Sequence, residues 1–334
     1  MEIKEIGKEG LLKRIRTSFD RPDRPGTVPP SGHRGASKFG EQGLFSSVLL
    51  MEGVDFDLVY FPLNYLGFKT VTAAAADIYG AGGIPRRLSL SLGLSGRFQV
   101  EDVEVFMKGV REACDFYRLE LLSFDVTSSL TGFAISASVI GEETMAVPQQ
   151  AAVNDLICVT GDLGAAFMGL QLMLREKRVF DSAPEGFAQP DFGGREYILE
   201  RQLKPALPFS ILESLKGSDI RPTTLAVLRD GLSDLLVRLS EGSKAGVRIY
   251  EKSLPIDVET SLMAEAFSLD PTLAAMHGGE DYQFLFTVPL TDKEKIDEIE
   301  GVTAIGFVTD ASEGLTLVGR SGGAVPIRPS DYTA

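Results

Sequence analysis

The sequence predicts a mixed α/β fold of the α+β kind, laid out in two successive halves. Three observations lead there. Strand-like and helix-like runs alternate through the whole chain, the pattern of layered sheets and helices. A linker-like stretch, "ETMAVPQQAAV", interrupts that alternation. A fresh strand, glycine turn and helix then follow in "NDLICVTGDLGAAFMGLQLML". The boundary is expected near Val147 to Val153, dividing the chain into domains 1–150 and 151–334.

In order along the chain, a short amphipathic helix is expected near Leu11 to Phe19. Residues Asp20 to Gly43 are dense in Pro, Gly and Arg, which predicts a long mobile loop. "LFSSVLLM" (Leu44–Met51) and "LVYF" (Leu58–Phe61) carry the aliphatic and aromatic residues of strands. "TVTAAAADIYGAGG" reads as a tightly packed helix of small residues closed by glycines. "RRLSLSLGL" alternates with period two and predicts a strand, whereas "VEDVEVFMKGVREACDFY" places apolar residues at helical spacing. "LELLSFD" and "GFAISASVIG" are further strands. The second half continues with a Pro/Gly-rich insertion (Asp181 to Gly194) and a helix to Leu203. After these come a strand-to-helix turn in "LAVLRDGLSDLLVRLSE", the segment "GGEDYQFLFTVP", and strands at "TAIGFVT" and "LTLVG".

At 334 residues the chain has room for two hydrophobic cores. Its 44% apolar and 24% charged residues describe a globular protein. A net charge of −14 excludes a general nucleic-acid binder, which needs a basic surface to neutralise phosphates. The two cysteines, Cys114 and Cys158, sit in apolar segments without a metal-ligand companion, so buried free thiols are expected. Two histidines are too few for a zinc cluster. With no signal-peptide core and no run of transmembrane length, a cytoplasmic protein with no membrane association is expected.

Several short motifs carry possible chemistry. "VTGDLG" (Val159–Gly164) can offer backbone N–H groups to a phosphate, or be a steric glycine turn. Glu280 and Asp281 in "GGEDYQFLF" form either a ligand-binding pair or a solvated turn. In "RDGLSD", Asp230 and Asp234 are either carboxylates sharing a helix face, or Asp230 is the helix N-cap. Asp77 and Asp125 are lone acids at the ends of apolar segments, ligands or caps.

Taken together and in order, "LLMEGVDFDL", "AAADIYGAGGIP", "LSFDVTSSLTG", "NDLICVTGDLGAAFMGLQL", "YILERQLKP", "RDGL", "AGVRIY" and "HGGEDYQFLFTVP" resemble the thiamine-monophosphate kinase family of the aminoimidazole-ribonucleotide-synthetase superfamily. The resemblance runs from about Gly43 to Pro289. It implies a synthetase-like two-domain fold: an N-terminal ATP-binding mixed sheet that pairs in a homodimer, and a C-terminal α/β domain. It also implies transfer of the ATP γ-phosphoryl to thiamine monophosphate, with Mg²⁺ and ATP as cofactors. Carboxylates suit hard Mg²⁺, and phosphoryl transfer rests on positioned cations. By the same resemblance Asp77, Asp125 and Asp230 stand at metal positions, and Asp55 and Glu280 at substrate positions. Tyr79, Phe124, Asp125 and Arg229 fall at the nucleotide.

The sequence also departs from the family pattern. The Gly-Asp-Asp stretch expected in the first loop is missing from "PPSGHRGASKFG", and an expected aspartate is Val48. Asp55 replaces a histidine, Ala74 and Ala76 an asparagine and a serine, and Ser123 and Phe124 two glycines. Pro148 falls at or near an arginine position. Arg229 replaces a serine, and the acid expected five residues after Asp230 is Leu235, with Asp234 one place early. Phe124 would fill space left for nucleotide, unless the turn moves and it packs in the core. Arg229 would repel Mg²⁺ and supply its own charge to Asp230 or another acid. The expectation is a kinase-like protein with weakened or lost transfer. The alternatives are a non-catalytic ligand- or partner-binding homologue, or phosphoryl transfer to a different small substrate.

Overall fold

The computed structural model describes residues 35–182 and 192–329, with Glu5, Gly10, Leu11, Arg14 and Ile15 before them. The helix expected near Leu11 to Phe19 falls largely outside the described residues. Residues 20–34 of the expected loop and 183–191 of the Pro/Gly insertion lie outside them too.

The chain forms two mixed sheets clothed by helices. The first contains β1 (Ser37–Phe39), β2 (Gly43–Met51), β3 (Gly83–Leu94), β4 (Glu120–Ser128) and β5 (Phe133–Glu143), in the order β1-β2-β5-β3-β4. Only β3 and β4 pair in parallel; the other pairs are antiparallel. Strand β1 shows that the loop expected to reach Gly43 ends earlier. On β2, Leu44, Ser46 and Val48 face inward while Phe45, Ser47 and Leu49 face out, the alternation of a one-sided sheet.

Two helices cover the inner face, α1 (Leu63–Gly80) and α2 (Val100–Tyr117). They touch through glycines: a Cβ on Gly109 would stand 1.7 Å from the Asn64 carbonyl oxygen. Ala73 to Ala76 are completely or almost completely buried, so the alanine run is a packing surface. The strand expected at Leu58–Phe61 is instead a turn. The Asp57 side chain accepts the Val59 N–H, its carbonyl accepts those of Tyr60 and Phe61, and Pro62 then starts α1.

The second sheet runs β12-β11-β8-β10-β6-β9-β7. Its strands are β6 (Leu156–Thr160), β7 (Thr224–Val227), β8 (Gly246–Tyr250), β9 (Phe284–Val288), β10 (Val302–Thr309), β11 (Leu315–Val318) and β12 (Ala324–Pro326). Around it lie α3 (Ala165–Ser182), α4 (Glu196–Leu203), α5 (Ser210–Gly217), α6 (Leu232–Ser243), α7 (Val258–Ala266), α8 (Pro271–His277) and α9 (Lys293–Asp297). One hydrophobic cluster joins the halves, from Leu44, Ala74 and Leu90 to Leu225, Phe284 and Phe286. The two sheets therefore share a core across α1, which places the end of α1 against β7. Cys114 and Cys158 are buried free thiols, pushed up by burial to about 11 and about 12.

Candidate functional site

Three segments meet at the seam between the sheets: α1, the turn Leu228–Gly231 after β7, and the loop Gly278–Gln283 before β9. Backbone hydrogen bonds stitch turn to loop. Glu280 N–H donates to the Arg229 carbonyl at 2.9 Å, Tyr282 N–H to that of Leu228 at 2.8 Å, and Leu228 N–H to that of Gln283 at 2.8 Å. Glu280 and Tyr282 adopt φ of +57° and +51°, a left-handed conformation that non-glycine residues rarely take. Gly279 has φ +71°, and a Cβ there would come 2.9 Å from the Arg229 carbonyl oxygen. Only glycine passes that point.

Asp55, Phe61, Lys69, Arg229, Glu280 and Tyr282 border one cavity of about 20 Å³, room for about a single water. Phe61 also borders a second cavity of about 300 Å³, with Tyr60, Met173, Lys177, Phe180 and Phe192.

Asp77, Asp230 and Glu280 each meet a basic side chain. Asp77 Oδ2 lies 3.5 Å from Arg229 Nη1. Asp230 Oδ2 accepts from Arg238 at 2.9 Å. Glu280 Oε2 accepts from Lys69 Nζ at 2.7 Å and from Gln202 Nε2 at 3.2 Å. Lys69 also donates to the Gln202 carbonyl at 3.0 Å and lies over the Phe61 ring. Burial raises the Glu280 carboxyl, but Lys69, with Gln202 and Arg229, outweighs it and holds the group below its ordinary value. For Arg229, burial favours the neutral form, while Tyr282, Asp77, Asp230 and Glu280 together hold its pKa above the usual arginine range.

The neighbouring acid behaves differently. Asp281, only 2% exposed, accepts the N–H groups of Gly164 at 2.9 Å and Ala166 at 3.3 Å, so its carboxylate caps α3. Burial pushes its pKa up to about 6 against the opposing pull of Arg201 and these two N–H groups. The "VTGDLG" turn therefore already holds an internal anion at the place a phosphate would occupy.

The structure thus gathers Asp55, Arg229 and Glu280 at one cavity and reaches Asp77 through Arg229. Asp55 also accepts the Met51 N–H at 2.8 Å, closing its own turn. The N-cap reading of Asp230 is overturned: Gly231 is the N-cap of α6, one residue later, and Asp230 turns to Arg238. Tyr79 is a core residue, 4% exposed and stacked on Phe209 at 5.6 Å, so it presents no ring face to a nucleotide. Phe124 neither fills the cleft nor packs in the core. It stands 44% exposed on edge strand β4. Asp125 follows it, pairs in register with Ser91, and accepts its neighbour's N–H at 2.9 Å.

Magnesium does not fit these residues as arranged. Among the described residues, no group of three or more His, Cys, Asp and Glu side chains is placed to hold a metal ion. Asp77, Asp125 and Asp230 do not form such a group, and a guanidinium stands beside Asp77. Lys69, Gln202 and Arg238 were not singled out in the sequence. The signal for Lys69 was present, since it is the one cation inside the apolar and small-residue run "LGFKTVTAAAA".

With this geometry in view, residues 37–142 match the family described as AIR synthase related protein, N-terminal domain. Fold and match define a protein of the AIR-synthase-related class. The chain is 28% identical over 321 residues to a thiamine-monophosphate kinase of Aquifex aeolicus (strain VF5), covering 96% of this chain and 97% of the relative. It is 25% identical over 292 residues to a thiamine-monophosphate kinase of Bacillus subtilis (strain 168), covering 84% and 85%. A solved structure of AaThiL complexed with AMPPCP and TMP superposes with a TM-score of 0.81 at 27% identity, over 99% of this chain and 97% of that one. Over nearly its whole length the chain is similar to thiamine-monophosphate kinases.

Among the described residues, no helix is long and apolar enough to cross a membrane.

Proposed function

We propose that this chain is a small-ligand-binding homologue of thiamine-monophosphate kinase in which phosphoryl transfer from ATP to thiamine monophosphate is weak or lost. One observation carries the reading: Asp77, Asp230 and Glu280 are already matched by Arg229, Arg238 and Lys69. Transfer between two phosphorylated reactants depends on cations placed against their developing charge, and acids engaged in this way are poor ligands for added ions. The charged cavity meets a larger aromatic-lined one at Phe61, an arrangement that suits a small organic ligand with a charged end. The AaThiL structure holds AMPPCP and TMP, which supports ligands of that class for this chain.

On this reading the protein is a cytoplasmic homodimer paired through the outer face of the first sheet, where Phe45, Leu49 and Met51 remain exposed. The domains are 1–150, for dimerisation and nucleotide, and 151–334. The test is thiamine diphosphate formation from Mg²⁺-ATP and thiamine monophosphate, beside calorimetry with each ligand alone. Binding of thiamine monophosphate without turnover is expected. Turnover of about 1 s⁻¹ or more, ordinary for an enzyme, overturns the reading.

A further inference from the structure

Arg229 is more deeply enclosed than its chemistry explains. Its side chain is 6% exposed and its backbone is pinned to the Glu280 loop. Its Nε and Nη1 have no hydrogen-bond acceptor, although Nη1 lies 3.5 Å from Asp77 Oδ2. Buried guanidinium groups ordinarily take bidentate partners, because unmade hydrogen bonds in a dry site are costly. This one instead lines the small cavity with Lys69, Asp55 and Glu280. Removed from water and ringed by carboxylates, it acts chiefly as a positive charge at a fixed place.

We propose that the Arg229 guanidinium is the resident cation of this cleft, standing at Asp77 in place of a divalent metal, so that divalent ions are excluded from Asp77 and Asp230. This deepens the functional reading above and rests on it for the cleft's ligand. The physical reason is geometric and electrostatic. The guanidinium occupies the approach to Asp77, carries a charge that repels Mg²⁺, and cannot leave, since its chain segment is held by the Leu228 and Glu280 hydrogen bonds. Arg238 makes the same kind of claim on Asp230, at 2.9 Å. The cation needed between these carboxylates and an anionic ligand is therefore built into the chain.

The test uses Mn²⁺ as a paramagnetic stand-in for Mg²⁺ on the full chain. Amide resonances of Asp77, Asp230 and Glu280 in the wild-type protein are expected to stay sharp at Mn²⁺ concentrations that broaden exposed acidic surface positions. Selective broadening of Asp77 and Asp230 overturns the proposal, whether or not any variant folds. R229S is expected to gain a Mn²⁺ site at least about tenfold tighter than any wild-type site, lost again when Asp77→Asn is added. A folded R229S that gains none also overturns it. The readout is separate from the kinase assay. Turnover with sharp Asp77 and Asp230 resonances would remove the functional reading alone, and broadening without turnover would remove this inference alone.

Discussion

Glu280 and Asp281 are adjacent in sequence, yet they belong to two different regions. Glu280 faces the cleft, is partly exposed, and is held below its ordinary pKa against burial by Lys69. Asp281 faces the seam between β9 and α3, is buried, and is raised to about 6 because backbone N–H groups and Arg201 only partly offset its loss of water. Lys69, hydrogen-bonded to Glu280, with Gln202 and Arg229 more than offsets burial there, whereas Arg201 and two backbone N–H groups offset less of it at Asp281. The left-handed residues Gly279, Glu280 and Tyr282 direct these side chains to opposite sides. One carboxylate therefore borders the cleft and the other secures the scaffold.

The strongest way to break this comparison is Asp281→Ala. It removes the acceptor of two helix N-terminal N–H groups and one of the two carboxylates near Arg201, which keeps Asp162 at 3.8 Å. A loss of about 3–5 kcal/mol in urea unfolding is expected. A loss below about 1 kcal/mol would show that the cap is not structural.

The pH dependence sharpens it next. Asp281 has a folded-state pKa of about 6 against an ordinary 3.8, so between those values the native state keeps a proton that the unfolded chain releases. Its contribution to stability therefore falls as pH rises through that window and stays lost above it. The total is on the order of 3 kcal/mol. Subtracting the stability curve of Asp281→Asn from that of wild type should leave a difference that declines from pH 3.8 to 6. A flat difference would count against a raised carboxyl.

The smallest effect belongs to the cleft. Lys69→Met keeps the length and apolar stem of the side chain but leaves Glu280 to be hydrated where it is open to solvent. About 2 kcal/mol of stability should be lost, within the range of a charge-assisted hydrogen bond. The Glu280 carboxyl should titrate upward by NMR. If Glu280 holds its low value without Lys69, the ion pair is not its cause.

Much of the fold was legible from local pattern. Period-two alternation marked β3, helical spacing marked α2, and the strand, glycine turn and helix of "NDLICVTGDLGAAFMGLQLML" became β6 and α3. Leu58–Phe61 misled because β-forming residues were overruled by the Asp57 turn and Pro62. In the candidate site, Asp55, Arg229 and Glu280 were legible and do share a cavity. Tyr79 was not, because one helix face can point to a cleft or a core and only packing decides between them. Its ring stacks on Phe209, 130 positions further along the chain.

By itself the sequence determined most of the segments that become strands and helices, and that a cation stands in the "RDGL" turn at Arg229. Tertiary structure alone decided which acid that cation meets: Asp77 at 3.5 Å, while Asp230 went to Arg238. Secondary structure follows backbone geometry within a few residues. Charge pairing in a buried cleft joins groups as distant as Lys69 and Glu280, 211 residues apart, and is fixed only when the core brings them together.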